Sequence, residues 1–449
     1  MLPRLTGNSV GTAIGGSLPP VGMAREVDWR NSAVHRYLIL VASVLMQACL
    51  GGVYTWSTFV PALTSKYGLS TAQTQAIFGI AFCVFTGLMI LAGRLQEKYG
   101  PRIIGIIAGL LLGTGYIISS QSGGSFTLLF IGYGLVGGAG IGFGYVCPLA
   151  TCVKWFPEHK GLITGIVVAG FGSGAILFSS MAGGLLDRGV DVLEVFRLMG
   201  IASGLTVMGC ALLLTVPENS GQQSMPTEFP LRWLIRQGSF KLSAIGMFSG
   251  TFAGMMIIGN INPIGLSAGL APGFAGIAVS TFAVGNTIGR VLWGRISDKI
   301  GRAAIPMSLL YMTIAVILLI PAGNSAMSFV LAAMAVGFGF GACFVIYAAE
   351  VTSEYGARAI GNVYPTIMLF YGVSGLAGPG IGGWLFDTTG AYTLSGVIAA
   401  SVTATGCLLT GFLARRHRSP FCFSHGCDWK SHASGVRYEE QERETADCA

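Results

Sequence analysis

A chain of 449 residues that is 52% hydrophobic and only 10% charged is no soluble globular domain, where about a quarter of residues carry charge. Its net charge of +7 is too sparsely spread to form a nucleic-acid surface, and its ten cysteines sit mostly in apolar stretches, which excludes a disulfide framework. The 68 glycines fall inside the same apolar runs, where small residues let membrane helices approach closely.

Residues 1–33 are rich in Gly, Ser and Pro without an apolar core, so they read as a disordered terminus and not as a secretory signal. Apolar stretches long enough to cross a bilayer, about 20 residues each, then follow twelve times. They span roughly 37–63, 73–92, 103–121, 126–152, 161–185, 196–216, 242–266, 272–293, 304–321, 327–349, 361–386 and 391–413. The polar stretch 217–241 is a linker between a first half, 34–216, and a second, 242–414. The tail 415–449 is polar and mixed in charge, and its Cys422-Phe-Ser-His425-Gly-Cys427 has no second half with which to bind metal. The expected fold is all-α and integral to the membrane, with twelve transmembrane helices in two six-helix halves. With both termini cytoplasmic, 22 of the 26 Lys and Arg lie on the inner side, which sets the orientation.

One cassette occurs twice, 201 residues apart, each time at the end of an apolar stretch. The first copy runs Gly93-Arg-Leu-Gln-Glu97-Lys98-Tyr-Gly100-Pro-Arg102 and the second Gly294-Arg-Ile-Ser-Asp298-Lys299-Ile-Gly301-Arg302. The second glycine of each gives a permissive turn, the bases stay at the membrane surface, and the acid suits a helix N-terminus. A lone copy would be an ordinary polar turn. Two copies, after the second and eighth spans, indicate a duplicated carrier.

With these residues the chain resembles the major facilitator superfamily, whose loop motif reads Gly-x-x-x-Asp-Arg/Lys-x-Gly-Arg/Lys-Arg. The second copy fits almost fully; the first has Glu97 for Asp and Pro101 for a base. The resemblance implies that Glu97, Lys98, Asp298 and Lys299 belong to a conformational latch. Glycines 161, 170 and 174, and the run Gly378-Pro379-Gly-Ile-Gly382-Gly383, partly match the family's antiporter motif. Close helix packing accounts for the same residues.

Apart from Arg197 at the very start of the sixth stretch, Arg290 is the one charged residue that falls inside a span. A charge there costs at least ~2.5 kcal/mol and usually faces a cavity or a partner. Every acid lies in a loop, tail or helix end, Glu350 and Asp387 nearest the interior. Either the side chain snorkels to the surface beside Arg295, or its partner is an anionic substrate gripped by the guanidinium fork. The run Asn286-Thr-Ile-Gly-Arg290-Val-Leu-Trp-Gly294 is similar to the eighth helix of the oxalate/formate antiporter branch and of monocarboxylate carriers. That resemblance implies that Arg290 binds a carboxylate. Asn286 stands where the proton-linked carriers have Asp, and Tyr371 where the oxalate carrier has a second cation, a lysine. One cation against one anion favours a monocarboxylate.

Similarity to the same branch makes Tyr54 and Trp56 of Gly51-Gly52-Val-Tyr54-Thr-Trp56, and Phe340 and Phe344, further substrate-site candidates, with Tyr145 and Gln47 behind them. Packing or lipid contact is the plainer role for such aromatics. The function expected is secondary transport of a small carboxylate (formate, lactate, pyruvate or oxalate class) by alternating access, as anion exchange. The alternatives are proton-coupled symport, using Glu350 if it reaches the cavity, and a non-transporting sensor. No span carries an Asp dyad, a His-Glu-x-x-His pattern or an activated serine, so an enzyme is not expected. Nor is a cofactor, a metal or a nucleic acid; the expected partners are the anion and the bilayer, and the expected state is a monomer.

Overall fold

The computed structural model describes residues 33–156, 160–217, 229–355 and 360–416. The Cys422–Cys427 stretch, the N-terminal segment before residue 33 and the tail beyond Arg416 lie outside the described residues. The described residues form twelve long helices and no strand. They are α1 (Val34–Tyr67), α2 (Thr71–Tyr99), α3 (Pro101–Ser120), α4 (Phe126–Trp155), α5 (Lys160–Asp187) and α6 (Val192–Leu213). The second six are α7 (Gly238–Ser267), α8 (Pro272–Ile300), α9 (Ala304–Leu319), α10 (Ala326–Tyr355), α11 (Ile360–Thr389) and α12 (Thr393–Arg416). Among the described residues ten continuous helical stretches are long and apolar enough to cross a membrane; one of them, Pro272–Ala322, holds both α8 and α9, and α11 is not in the set.

Packing repeats along with the sequence. The pairs α1·α5, α2·α4 and α3·α6 recur as α7·α11, α8·α10 and α9·α12. The first six helices meet the last six along two seams, α2 with α11 and α5 with α8, and the outer part of α1 also touches α7. Aliphatic side chains such as Leu38, Leu205, Leu310 and Leu408 remain exposed, as a surface against lipid requires.

The start of α1, the end of α12 and both cassettes lie on one face, here the terminal face; the opposite side is the far face. Several helices outrun their apolar cores. α2 and α8 each continue through the cassette and stop only at a glycine with positive φ, Gly100 at 81° and Gly301 at 55°. On the far face Asp191 caps α6 and takes Lys66 and Tyr67 from the end of α1. Burial works against its charge, but Lys66, the Leu193 amide and Tyr67 outweigh it and hold its carboxyl below the usual range.

Two irregularities shape the interior. α1 tightens into a 3-10 turn over Gly52–Thr55, and α4 widens to a π-helical stretch over Phe130–Gly137. They meet where the Tyr133 hydroxyl donates to the Val53 carbonyl at 3.3 Å.

Candidate functional site

α8 is held hard against α10, and this fixes Arg290. A Cβ on Gly289 would sit 2.2 Å from the Phe338 carbonyl oxygen, and one on Gly341 would sit 2.4 Å from the Asn286 oxygen and 2.8 Å from the Arg290 nitrogen. Neither contact can accept a larger residue without moving a backbone. Because α8 runs to Ile300, Arg290 lies ten residues before its end, about 15 Å along the axis. The helix is longer than its apolar stretch suggests, and the arginine correspondingly deeper.

Arg290 is only 7% exposed. Its Nε donates to Asn286 Oδ1 at 3.1 Å, one turn earlier, and its Nη1 to the Val168 carbonyl of α5 at 3.3 Å, across the seam. The guanidinium carbon lies 4.3 Å from the centroid of the Phe344 ring. Among the described residues Lys66 pairs with Asp191, Arg197 with Glu194, and Arg302 with Glu350 and Glu354, while Arg290 pairs with no acid. Its partners are neutral, so its charge is solvated in part and not cancelled. Snorkelling does not describe this side chain.

Beside it is a narrow cavity, shut in this conformation and walled by Tyr54, Phe85, Tyr145, Phe171, Phe344, Met368 and Tyr371. The space between these side chains is too tight for a water molecule, so the site is closed in this conformation. The Tyr54 and Tyr371 hydroxyls meet at 2.8 Å, one from each set of six helices. A single hydrogen lies between the two oxygens, so the other hydroxyl proton is left to donate elsewhere. Tyr54 stands in the 3-10 turn of α1, where Gly51 lets α5 come so close that a Cβ would overlap the Phe171 carbonyl oxygen, 1.8 Å away.

The residues singled out from sequence separate into three places. Arg290, Tyr54, Tyr371 and Phe344 surround the cavity, with Asn286 bracing the arginine from behind. Phe340 stands one layer back, its ring against those of Phe344, Tyr54 and Tyr371. Trp56 is elsewhere: it is fully buried among Phe59, Phe78, Tyr133 and Phe196, away from the arginine. Two residues along a helix turn the side chain by about 200°, so Tyr54 and Trp56 face opposite ways. Glu350 does not reach the cavity; its carboxylate pairs with Arg302 Nε at 2.6 Å, and Glu354 also binds Arg302. Gln47 donates to the Tyr145 carbonyl at 3.2 Å and so supports a wall residue.

Phe85, Phe171 and Met368 join the cavity with no signal in the sequence, since aromatics and methionine in apolar helices look the same whether they face lipid, core or cavity. In the cassettes Glu97, Lys98, Asp298 and Lys299 are exposed, Gly93 and Gly294 are half-buried, and Arg102 is exposed while Arg302 is not.

Comparison with known proteins agrees with this architecture. The family model described as Major Facilitator Superfamily matches residues 39–364 and again 242–421. An uncharacterized MFS-type transporter, YhjX of Escherichia coli (strain K12), is 29% identical over 76% of this chain and 86% of its own. The oxalate:formate antiporter of Oxalobacter formigenes is 30% identical over 60% of this chain and 65% of its own, and monocarboxylate transporter 11 of Mus musculus 25% identical over 77% and 80%. In fold, the chain is similar to a crystal structure of a D-xylose–proton symporter, with a TM-score of 0.63 over 83% of this chain and 97% of that one, at 17% identity.

Proposed function

Since the chain belongs to the major facilitator superfamily and is a multi-pass transporter, not an enzyme, we propose that its cargo is a small monocarboxylate, exchanged for another anion by alternating access. The observation that carries this reading is Arg290: a cation 7% exposed, braced by neutral groups, and facing a closed crevice between the two sets of six helices, walled by Tyr54, Tyr371 and Phe344. Its terminal nitrogens offer a carboxylate paired, charge-assisted bonds. The spare hydroxyl proton of the Tyr54–Tyr371 pair supplies a further donor, and Phe85, Phe171 and Met368 suit a short apolar remainder.

Coupling follows from electrostatics. An unpartnered guanidinium is costly to carry through a closed, dry intermediate, and a bound carboxylate relieves that cost. The loaded carrier therefore crosses more readily than the empty one, which produces exchange. Relatives named for oxalate and formate, and for monocarboxylates, fit the same class of cargo. The excess of Lys and Arg on the terminal face supports a cytoplasmic position for both ends.

The test is uptake of labelled small carboxylates by proteoliposomes, with and without internal anion and with and without a pH gradient. Internal anion should accelerate uptake, whereas dependence on the gradient alone marks proton symport. Arg290→Ala should abolish uptake while leaving insertion intact, and uptake at the parent rate by that variant overturns the reading. Tyr371→Lys should move preference toward dicarboxylates by adding a second cation.

A further inference from the structure

The far end of the α2–α11 seam is closed by one carboxylate. α2 starts on Ser70, whose hydroxyl oxygen accepts from the Gln73 amide while Gln73 Oε1 accepts from the Ser70 amide. That arrangement leaves the first two helical amides, Thr71 and Ala72, without a partner in their own helix. Both are taken by Asp387, near the end of α11. Thr71 N–H donates to Oδ1 at 3.0 Å and Ala72 N–H to Oδ2 at 2.8 Å.

Neighbouring contacts reinforce the closure. Gly383, one turn before Asp387, lets α11 lie so near α2 that a Cβ would sit 2.9 Å from the Thr71 carbonyl oxygen. One turn into α2, Gln75 Nε2 donates to the Gly259 carbonyl of α7 at 2.8 Å. Each of these contacts joins the first six helices to the last six, on the far side of the Arg290 cavity. The other seam is looser there: α8 begins on Ala271 and Pro272 with no side-chain cap, and Ser179 meets Ser280 at 3.4 Å.

We infer that Asp387 is a far-side latch, whose carboxylate holds that face shut by capping a helix of the opposite half. Opening the face strips two amides at a positive helix end of their anionic acceptor. Asp387 is exposed, so water replaces it when the halves part, and the latch releases reversibly. Replacing a capping Asp by Ala shifts such an equilibrium by about fivefold. The inference rests on alternating access alone and not on the identity of the anion.

Hydrogen exchange of the full chain in lipid nanodiscs, read peptide by peptide with no anion added, tests it. Asp387→Ala should speed exchange about fivefold at Ser70–Thr74, and also around Gly259 in α7 and at Ser179 and Ser280 on the opposite seam. Asp387→Asn, which keeps an acceptor oxygen without the charge, should give a smaller change of the same pattern. A change confined to Ser70–Thr74 is local fraying and overturns the latch, as does no change. Should Asp387→Ala not fold, the pair Ala72→Cys and Asp387→Cys replaces it. Oxidation should then slow exchange at Gly259, Ser179 and Ser280, and reduction restore it; exchange there indifferent to the cross-link also overturns the latch.

Discussion

The two cassettes share a glycine turn and differ in what their second arginine meets. Each ends its helix on a glycine of positive φ, whose N–H returns to the carbonyl four residues earlier, Gly100 to Gln96 and Gly301 to Ser297. Beyond the glycine they diverge. In the second copy Arg302 turns back onto α10 and pairs with Glu350 and Glu354. In the first, Pro101 opens α3 at once, and α4 carries Ala150 and Lys154 where α10 carries the two acids. Arg102 instead borders a groove with Tyr99, Trp155 and Thr215, in which Trp155 Nε1 donates to the Thr215 carbonyl at 2.6 Å. The turn is thus the common requirement of both copies. In the second copy the pairing of Arg302 with Glu350 and Glu354 clamps the turn after α8 to α10, the helix against which Arg290 is held.

The largest effect that would break this contrast is loss of the clamp. Glu350→Ala should cost about 3 kcal/mol of stability, the low end for breaking a buried pair because Arg302 keeps Glu354. Lys154→Ala, at the matching place in α4, should stay within about 0.5 kcal/mol. Thermal unfolding of both variants in detergent measures the difference, and equal losses would erase the asymmetry. The shared turn predicts the reverse pattern: Gly100→Ala and Gly301→Ala should each cost about 1–3 kcal/mol, because both backbones lie where a side chain is strained. Markedly unequal losses would show that the two turns are not equivalent. Smallest in stability are the exposed acids. The latch role that the family resemblance implies predicts that Glu97→Gln and Asp298→Asn slow transport while shifting stability by no more than about 0.5 kcal/mol, with uptake and unfolding measured side by side.

Much of the architecture was legible because membrane helices obey a length rule. Twelve apolar stretches became twelve helices, and the cassette glycines fell at the turns where a permissive backbone was needed. Arg290 stood out because an isolated charge in an apolar run is expensive. Less legible were contacts decided by helix rotation and distant packing. Tyr54 and Trp56 look alike in sequence, yet only Tyr54 faces the cavity. Glu350 reads as one of the two acids nearest the interior, and its capture by Arg302 depends on how α10 lies against the loop after α8. The cavity wall of Phe85, Phe171 and Met368 draws on three helices, and nothing in the local pattern of any one reveals the meeting point.

The Tyr54–Tyr371 bridge has one more consequence. Free phenols ionise only near pH 10, so the bridge carries no charge that physiological pH would change. The link between the lobes can open and re-form as a simple exchange of acceptors, leaving it indifferent to the acidity on either side of the bilayer.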